Sequence, residues 1–143
     1  MFYFFWLVAG LLGACPLLYY ANKLHPKASA KLLGRSLVIA ALIYVGFAVL
    51  WGDGYWLQIE STGVALYGVF YWLGLRYHMY WIGLGWLLHP VWDIVLHLLG
   101  PGVHVVPEWY AIACVSFDFA VAAFIFIVYS SSFKQTSQRR KAN

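Results

Sequence analysis

Charged side chains are scarce in this chain. Lysine, arginine, aspartate and glutamate together make up 10% of its 143 residues, whereas about 25% is usual in a soluble domain. Hydrophobic residues make up 64%. A water-soluble core of this size could not hide so much apolar surface, so lipid must cover much of it. The composition excludes an ordinary soluble protein and predicts an integral membrane protein with the lipid bilayer as its main partner.

Cysteine is equally rare. The sequence contains only Cys15 and Cys114, and both fall within apolar segments. This placement implies no disulfide framework. It also provides no thiolate cluster of the kind that binds soft metals.

Five apolar stretches of about 20 residues occupy most of the sequence, at 2–20, 32–51, 56–75, 79–99 and 109–129. At 1.5 Å per residue, a helix of about 20 residues crosses the roughly 30 Å hydrocarbon core of a bilayer. The third stretch is the most polar, because Gln58 and Glu60 lie in its first turns. We expect an all-α bundle of five transmembrane helices over residues 1–130, followed by a basic cytoplasmic tail, residues 131–143.

The basic residues test this count of spans. They are Lys23, Lys27, Lys31 and Arg35 near the first loop, Arg76 after the third stretch, and Lys134, Arg139, Arg140 and Lys141 in the tail. With five spans and the N-terminus outside, all nine are cytoplasmic, as the positive-inside rule requires, whereas four spans would break the rule. Topology and anionic lipid then explain the net charge of +4, so we expect no nucleic-acid partner. The predicted location is the bacterial inner membrane, as a multi-pass protein.

The fourth stretch contains a ladder of ionisable residues, His89, Asp93 and His97, spaced four apart. On a helix each step of four advances about 40° around the axis, so the three share one face. Ionisable groups within a membrane are costly and by default mark a functional site. On a regular helix the two histidines are about 12 Å apart, too far to bind one ion, but Asp93 can pair with either. Pro90 removes a helix donor and could bend this segment.

Two acids from other stretches lie at a similar depth. Counting residues from the outer face places Asp118 about 13 Å deep, between Asp93 at about 9 Å and His89 at about 15 Å. Glu60 enters from the same face. We therefore expect one pocket, open to the outer face, in which His89, Asp93 and His97 are the metal ligands. Glu60, at the mouth, and Asp118 are the candidate catalytic residues, acting as general bases.

Mixed imidazole and carboxylate ligands favour a divalent transition metal, zinc above all. Two other interpretations of the cluster stay open. One is a metal-free hydrogen-bonded network or proton relay, and the other is structural packing of the helices.

The same region resembles an uncharacterised family of small bacterial integral membrane proteins, a domain of unknown function. The resemblance covers residues 51–118, and its most specific part is the pattern Trp-Leu-Leu-His-x-x-Trp-Asp-x-x-x-His that begins at Trp86. One departure is Leu96 before His97, where the family often has a second histidine. Since the family has no assigned activity, the resemblance supports a site at these residues without implying a reaction.

Three functions fit these patterns. The first is a metal-dependent hydrolase acting on a lipid-like or small amphipathic substrate, with the metal lowering the pKa of bound water to about 7. The second is a transporter or a proton or metal relay, for which a homo-oligomer would supply the pore that one chain does not provide. The third is a small accessory subunit of a membrane complex.

The charge pattern yields a prediction about topology. A reporter enzyme fused after Asn143 should behave as cytoplasmic, because five spans leave the C-terminus on the basic side. The measurement is the activity of paired reporters, one active only in the cytoplasm and one only in the periplasm. Periplasmic activity of the C-terminal fusion would mean that the third stretch does not span.

Overall fold

The computed structural model describes the backbone of residues 1–142 and the side chains of residues 1–129. Over that backbone the chain is all-α, as predicted. Its elements are α1 (Phe2–Lys23), α2 (Pro26–Trp51), α3 (Gly54–Arg76), α4 (Tyr80–Asp93), a π-helical segment (Ile94–Leu98) and α5 (Glu108–Ala142). Each apolar stretch of the sequence corresponds to one helix, the fourth being α4 continued by the π segment. The backbone of α5 runs on through most of residues 131–143, whose side chains lie outside the described part, and their cytoplasmic location stays a prediction.

Short turns with matching end residues separate the first three helices. Pro26 occupies the first position of α2, where a missing N–H costs nothing. Asp53 caps α3, its Oδ1 accepting from the backbone N–H groups of Tyr55 at 3.0 Å and Trp56 at 3.1 Å. Such short connections force consecutive helices to run antiparallel.

Three helical segments are long and apolar enough to cross a membrane, namely Phe2–Lys23, Pro26–Trp51 and Glu108–Tyr129. The outer surface supports the same conclusion, since large apolar side chains such as Phe4, Leu12 and Ile127 are about two-thirds or more exposed. Apolar exposure on this scale marks a surface that lipid or a partner covers. The chain thus has the architecture of a membrane protein.

The helices pack in the order α1, α5, α4, α3, α2. The most extensive contacts join α1 to α5, α2 to α3 and α4 to α5, whereas α1 and α2 contact each other much less. The bundle is therefore loosest along the seam between its first two helices, although a tight turn connects them.

Two apolar clusters form the core, one towards each end of the bundle. The first surrounds Trp86 and Leu37, and Trp86 Nε1 donates a hydrogen bond to the Leu33 carbonyl at 3.1 Å. The second surrounds Tyr44 and Trp56, together with residues that follow the π segment. His89 lies between Tyr67 of the first cluster and Tyr44 of the second, and His97 packs against Trp56 of the second.

The two ends of the bundle differ in charge. At one end, Lys27 and Lys31 line a cavity with His78 of the turn after α3 and with Tyr129 of α5. At the other end, the Tyr3 hydroxyl donates to Glu108 Oε1 at 2.9 Å. The first loop and the loop after α3 therefore meet on one side, as an up-and-down bundle requires.

The contact between α1 and α5 depends on a glycine. A Cβ atom at Gly10 would overlap the carbonyl oxygen of Ala113, which belongs to the backbone and cannot rotate away. Close approach here lets Ser116 Oγ donate to the Leu7 carbonyl at 2.8 Å. Small residues at helix contacts are how membrane helices approach closely.

We predict that Gly10→Ala destabilises the protein by about 1–3 kcal/mol, the usual cost of overpacking, because α1 must move away from α5. Gly13→Ala on the same helix is the control, since its Cβ would meet only a Phe117 ring atom at 3.8 Å. Thermal unfolding in detergent measures both. Equal melting temperatures for the two variants would contradict the packing described here.

Candidate metal centre

Three ionisable side chains meet where α4 packs on α5. His89 and Asp93 stand one turn apart on α4, and α5 brings Asp118 to them. His89 Nδ1 lies 2.9 Å from Asp118 Oδ2 and 3.5 Å from Asp93 Oδ2. One ligand atom from each residue lies within 4.8 Å of the other two. We call this set the three-residue group.

The charges of the three-residue group do not balance. All three side chains are no more than 1% exposed, and burying an ionised carboxylate is costly unless it is paired. A protonated His89 would supply one positive charge against two carboxylates. Among residues 1–129 no lysine or arginine is buried. A further cation, either a proton or a metal ion, is therefore required.

Asp93 is the less well satisfied of the two carboxylates. Neither of its oxygens makes a well-aligned hydrogen bond, although both are fully buried. Its polar neighbours are His89 Nδ1, 3.5 Å from Oδ2, and the Tyr44 hydroxyl. Asp118, by contrast, is within hydrogen-bonding distance of His89. Buried polar atoms are almost always satisfied, and each exception in a native protein calls for an explanation such as a bound ion.

Two tyrosines enclose the three-residue group from the other helices. The ring of Tyr44 on α2 lies 5.4 Å from the His89 ring, and that of Tyr67 on α3 lies 4.9 Å from it. Neither buried hydroxyl makes a well-aligned hydrogen bond, but the Tyr44 hydroxyl lies close to Asp93 and Cys114. Both tyrosines interact electrostatically with Asp93 and Asp118. Four helices thus contribute to the site.

These two tyrosines are not among the site residues predicted from the sequence. A signal for them exists, because Tyr44 and Tyr67 lie in the middle of their apolar stretches and not at the ends, where anchoring aromatics belong. A tyrosine in mid-membrane needs a partner for its hydroxyl. Its position therefore indicates a polar site, but not which helix provides the partner.

His97 lies apart from the three-residue group, unlike the arrangement predicted. Its Nε2 is 3.0 Å from Glu60 Oε1, although the two atoms lack hydrogen-bond alignment. Its Nδ1 is 3.1 Å from the Gly102 carbonyl oxygen. Trp92 Nε1 donates to the other oxygen of Glu60 at 3.2 Å. The structure thus has two neighbouring polar clusters, and the ring of Tyr44 lies between their histidines, 5.3 Å from that of His97.

Glu60 also differs from expectation. The sequence predicts Glu60 at the mouth of the pocket, whereas in the structure its side chain is only 2% exposed. Asp118, expected beside the metal as a base, instead lies among the three residues whose atoms are close enough to share an ion. The expectation that Asp93 and Asp118 meet inside the bundle agrees with the structure, while the individual roles stay predictions.

The π segment separates His97 from Asp93. On a regular helix the two side chains would lie above one another, but here the Leu99 N–H donates to the Ile94 carbonyl at 2.9 Å, an i→i+5 bond. The wider turn directs His97 towards α3 and the loop. Gly102 completes this arrangement, since a Cβ there would lie 2.8 Å from His97 Nδ1 and 2.6 Å from Trp56.

We predict strong coupling between Glu60 and His97. Each single variant, Glu60→Gln and His97→Asn, should destabilise the protein by about 3–5 kcal/mol, because it leaves the other member buried without its partner. The double variant should cost clearly less than the sum of the two. Thermal unfolding in detergent measures all three variants, and His104→Asn, in the exposed loop before α5, is the control and should have a small effect. Additive losses would contradict a direct interaction.

Comparison with known proteins identifies the family of the chain but assigns it no function. Neither a curated protein nor a solved structure matches it. A family model, described as a family of unknown function (DUF6010), matches residues 8–131. The match includes all three residues of the group and both members of the Glu60–His97 pair. The resemblance to an uncharacterised family is thereby confirmed: the chain belongs to DUF6010.

Proposed function

We propose that this protein is a membrane-embedded hydrolase of a lipid-like substrate and that His89, Asp93 and Asp118 hold its divalent metal ion. One observation carries the proposal. Three buried ligand atoms from these residues, two of them carboxylate oxygens, lie within 4.8 Å of one another. A divalent cation would balance the two carboxylates and improve the weak hydrogen bonding of Asp93.

Zinc fits this donor set best. It binds imidazole nitrogen and carboxylate oxygen at about 2.0–2.2 Å in a tetrahedral arrangement. That geometry places ligand atoms about 3.3 Å apart, and His89 Nδ1 lies 2.9 Å from Asp118 Oδ2 and 3.5 Å from Asp93 Oδ2. Three protein ligands would leave the fourth position open for water, as in catalytic and not structural zinc sites.

The chemistry that follows is addition of water to an ester or amide. Zinc would lower the pKa of water at the open position to about 7. The water oxygen would bond to the carbonyl carbon, and the bond from that carbon to the leaving oxygen or nitrogen would break with its electron pair. The second oxygen of Asp118 would carry the proton released by water to the leaving atom. A carboxylate that transfers a proton in this way is a general acid–base catalyst.

We assign Glu60 to a supporting role. Its carboxylate contacts His97 and Trp92, and His97 in turn contacts the loop carbonyl of Gly102. These contacts connect α3, the π segment and the outer loop. Glu60 and His97 thus hold the outer end of the site in place and are not themselves ligands of the ion.

A proton or metal relay is the second candidate. The observation in its favour is that the Tyr44 ring contacts both His89 and His97, which joins the two clusters. The buried polar residues of 1–129 other than these clusters are Ser29 and Ser116, so the inner half offers few steps for a proton. This distribution favours a reaction at one site over transport across the whole bilayer. It provides no support for the third function, an accessory subunit of a membrane complex.

We also propose five spans for this protein, with the N-terminus outside and the C-terminus in the cytoplasm of a bacterial cell. The α4 helix has 14 residues and the π segment 5, together about 28 Å at helical rise and enough to cross the hydrocarbon core. The meeting of Lys27, Lys31 and His78 at one end supports the same orientation. Homo-oligomers remain compatible with this arrangement and nucleic acid is not expected to bind.

The test is metal content. Protein purified in detergent and supplied with zinc should retain about one ion per chain, and Asp93→Ala and Asp118→Ala should each lower the apparent affinity by at least about 10-fold, since outer-shell changes alone cost 10–100-fold. His89→Ala should behave alike. Elemental analysis after desalting measures the stoichiometry, and thermal unfolding with and without zinc measures the stabilisation by mass action.

His97→Ala is the matched control, because it removes a buried histidine of the same helical segment without removing a member of the three-residue group. It should lower stability yet keep the zinc stoichiometry. If the wild-type protein neither binds zinc at micromolar concentration nor gains thermal stability from it, the metal centre is wrong and the relay interpretation takes its place.

A further inference from the structure

An apolar cleft opens in the seam between α1 and α2. It has a volume of about 440 Å³ and is lined by residues of α1, α2, α4 and α5. Its floor is α5, from Tyr110 to Asp118, and Trp86 of α4 closes its back. Ile39 and Ile43 of α2 lie at its edge, and both are at least 40% exposed.

The cleft lies at the depth of the hydrocarbon core. Gly10 and Leu17, its α1 residues, are about 12 Å and 22 Å along the helix from Phe2. Ser36 on α2 is about 15 Å from Pro26. Tyr110, about 3 Å along α5 from Glu108, is the lining residue nearest an end of the bundle. The rest of the lining lies deeper in the apolar spans, so in a bilayer most of the opening faces acyl chains and not water.

The cleft and the three-residue group share one residue. Asp118 lines the cleft, and its Oδ2 also lies 2.9 Å from His89 Nδ1. Cys114, one turn before it, lines the cleft as well and interacts electrostatically with Asp118. The otherwise apolar surface thus ends at the buried polar site.

From this placement we infer that the cleft binds the hydrocarbon chain of a single-chain amphiphile, such as a fatty acyl compound, which enters sideways from the bilayer. The inference rests on the proposed function, because it names the class of substrate that the metal centre would act on. The hydrocarbon chain would bind along the cleft, and the polar head would lie beside Asp118, next to the proposed metal ion.

The dimensions support one chain. Along α5 the lining runs from Tyr110 to Asp118, about 12 Å at helical rise. A volume of about 440 Å³ lies near the lower end of the roughly 300–1,000 Å³ range of small-molecule pockets. A two-chain phospholipid with its head group would not fit without widening the seam between α1 and α2.

The experiment uses the full-length protein in phosphatidylcholine nanodiscs that contain a small fraction of a fatty acid with a photoactivatable diazirine near its chain end. After illumination, mass spectrometry of peptides locates the labelled residues. Labelling should concentrate at Ile43 and Phe117 in the cleft over Ile127 on the outer surface. Unlabelled fatty acid should compete for the cleft positions but not for Ile127.

A pair of substitutions identifies the cleft. Ala40→Phe fills it and should lower cleft labelling by about 10-fold, which corresponds to about 1.4 kcal/mol of binding. Ala123→Phe adds the same ring to an exposed position of α5 and should leave labelling unchanged. Labelling at Ile43 that does not exceed that at Ile127, or that unlabelled fatty acid does not reduce, would overturn the inference even if Ala40→Phe failed to fold.

The same measurement on Asp93→Ala separates this inference from the metal proposal. Saturable cleft labelling in that variant, together with a wild-type protein that binds no zinc, would leave the chain-binding cleft in place and remove the metal centre. Zinc binding without saturable cleft labelling would support the metal centre and overturn the chain-binding cleft.

Discussion

Asp93 and Asp118 bring two carboxylates to one imidazole at a depth where little water can solvate them. Charges in such a place must be paired or neutralised. The shared imidazole connects α4 to α5, which form one of the most extensive contacts of the bundle. Tyr44 of α2 and Tyr67 of α3 pack against the same imidazole, and both interact electrostatically with the two carboxylates. Side chains from four helices thus surround one unbalanced charge.

The two histidines of the ladder contact different residues, because the α-helix becomes a π-helix between them. His89 lies on regular α-helix and keeps the one-turn relation to Asp93. His97 lies on the π segment, and its ring connects Glu60 to the Gly102 carbonyl. A π turn inside a helix is rare and is often found at functional sites. Because of this turn, His89 and Asp93 stay together in the three-residue group, whereas His97 pairs with Glu60.

Much of this arrangement could be predicted from the sequence, for identifiable reasons. The five helices could be predicted because the apolar stretches are visible in the order of residues along the chain, and each has the length of one membrane-spanning helix. The meeting of Asp93 with Asp118 follows from counting residues at 1.5 Å each from a shared face. The position of His97 could not be predicted, because Pro90 indicates a disturbed helix but not an i→i+5 bond. The burial of Glu60 was missed for a related reason, since its partner depends on where that wider turn directs His97.

The weak contact between α1 and α2 has a physical consequence for a chain of this size. The side chains of the three-residue group are no more than 1% exposed, and Asp118 also lines the apolar cleft between these two helices. For the proposed hydrolase, a substrate dissolved in water would have to cross the apolar cluster of Tyr44, Trp56 and Val105. A substrate dissolved in the bilayer would meet only the seam, where two loosely packed helices separate at little cost. The packing is therefore consistent with the proposal of a substrate that already resides in the membrane, since lateral entry would break the least packing.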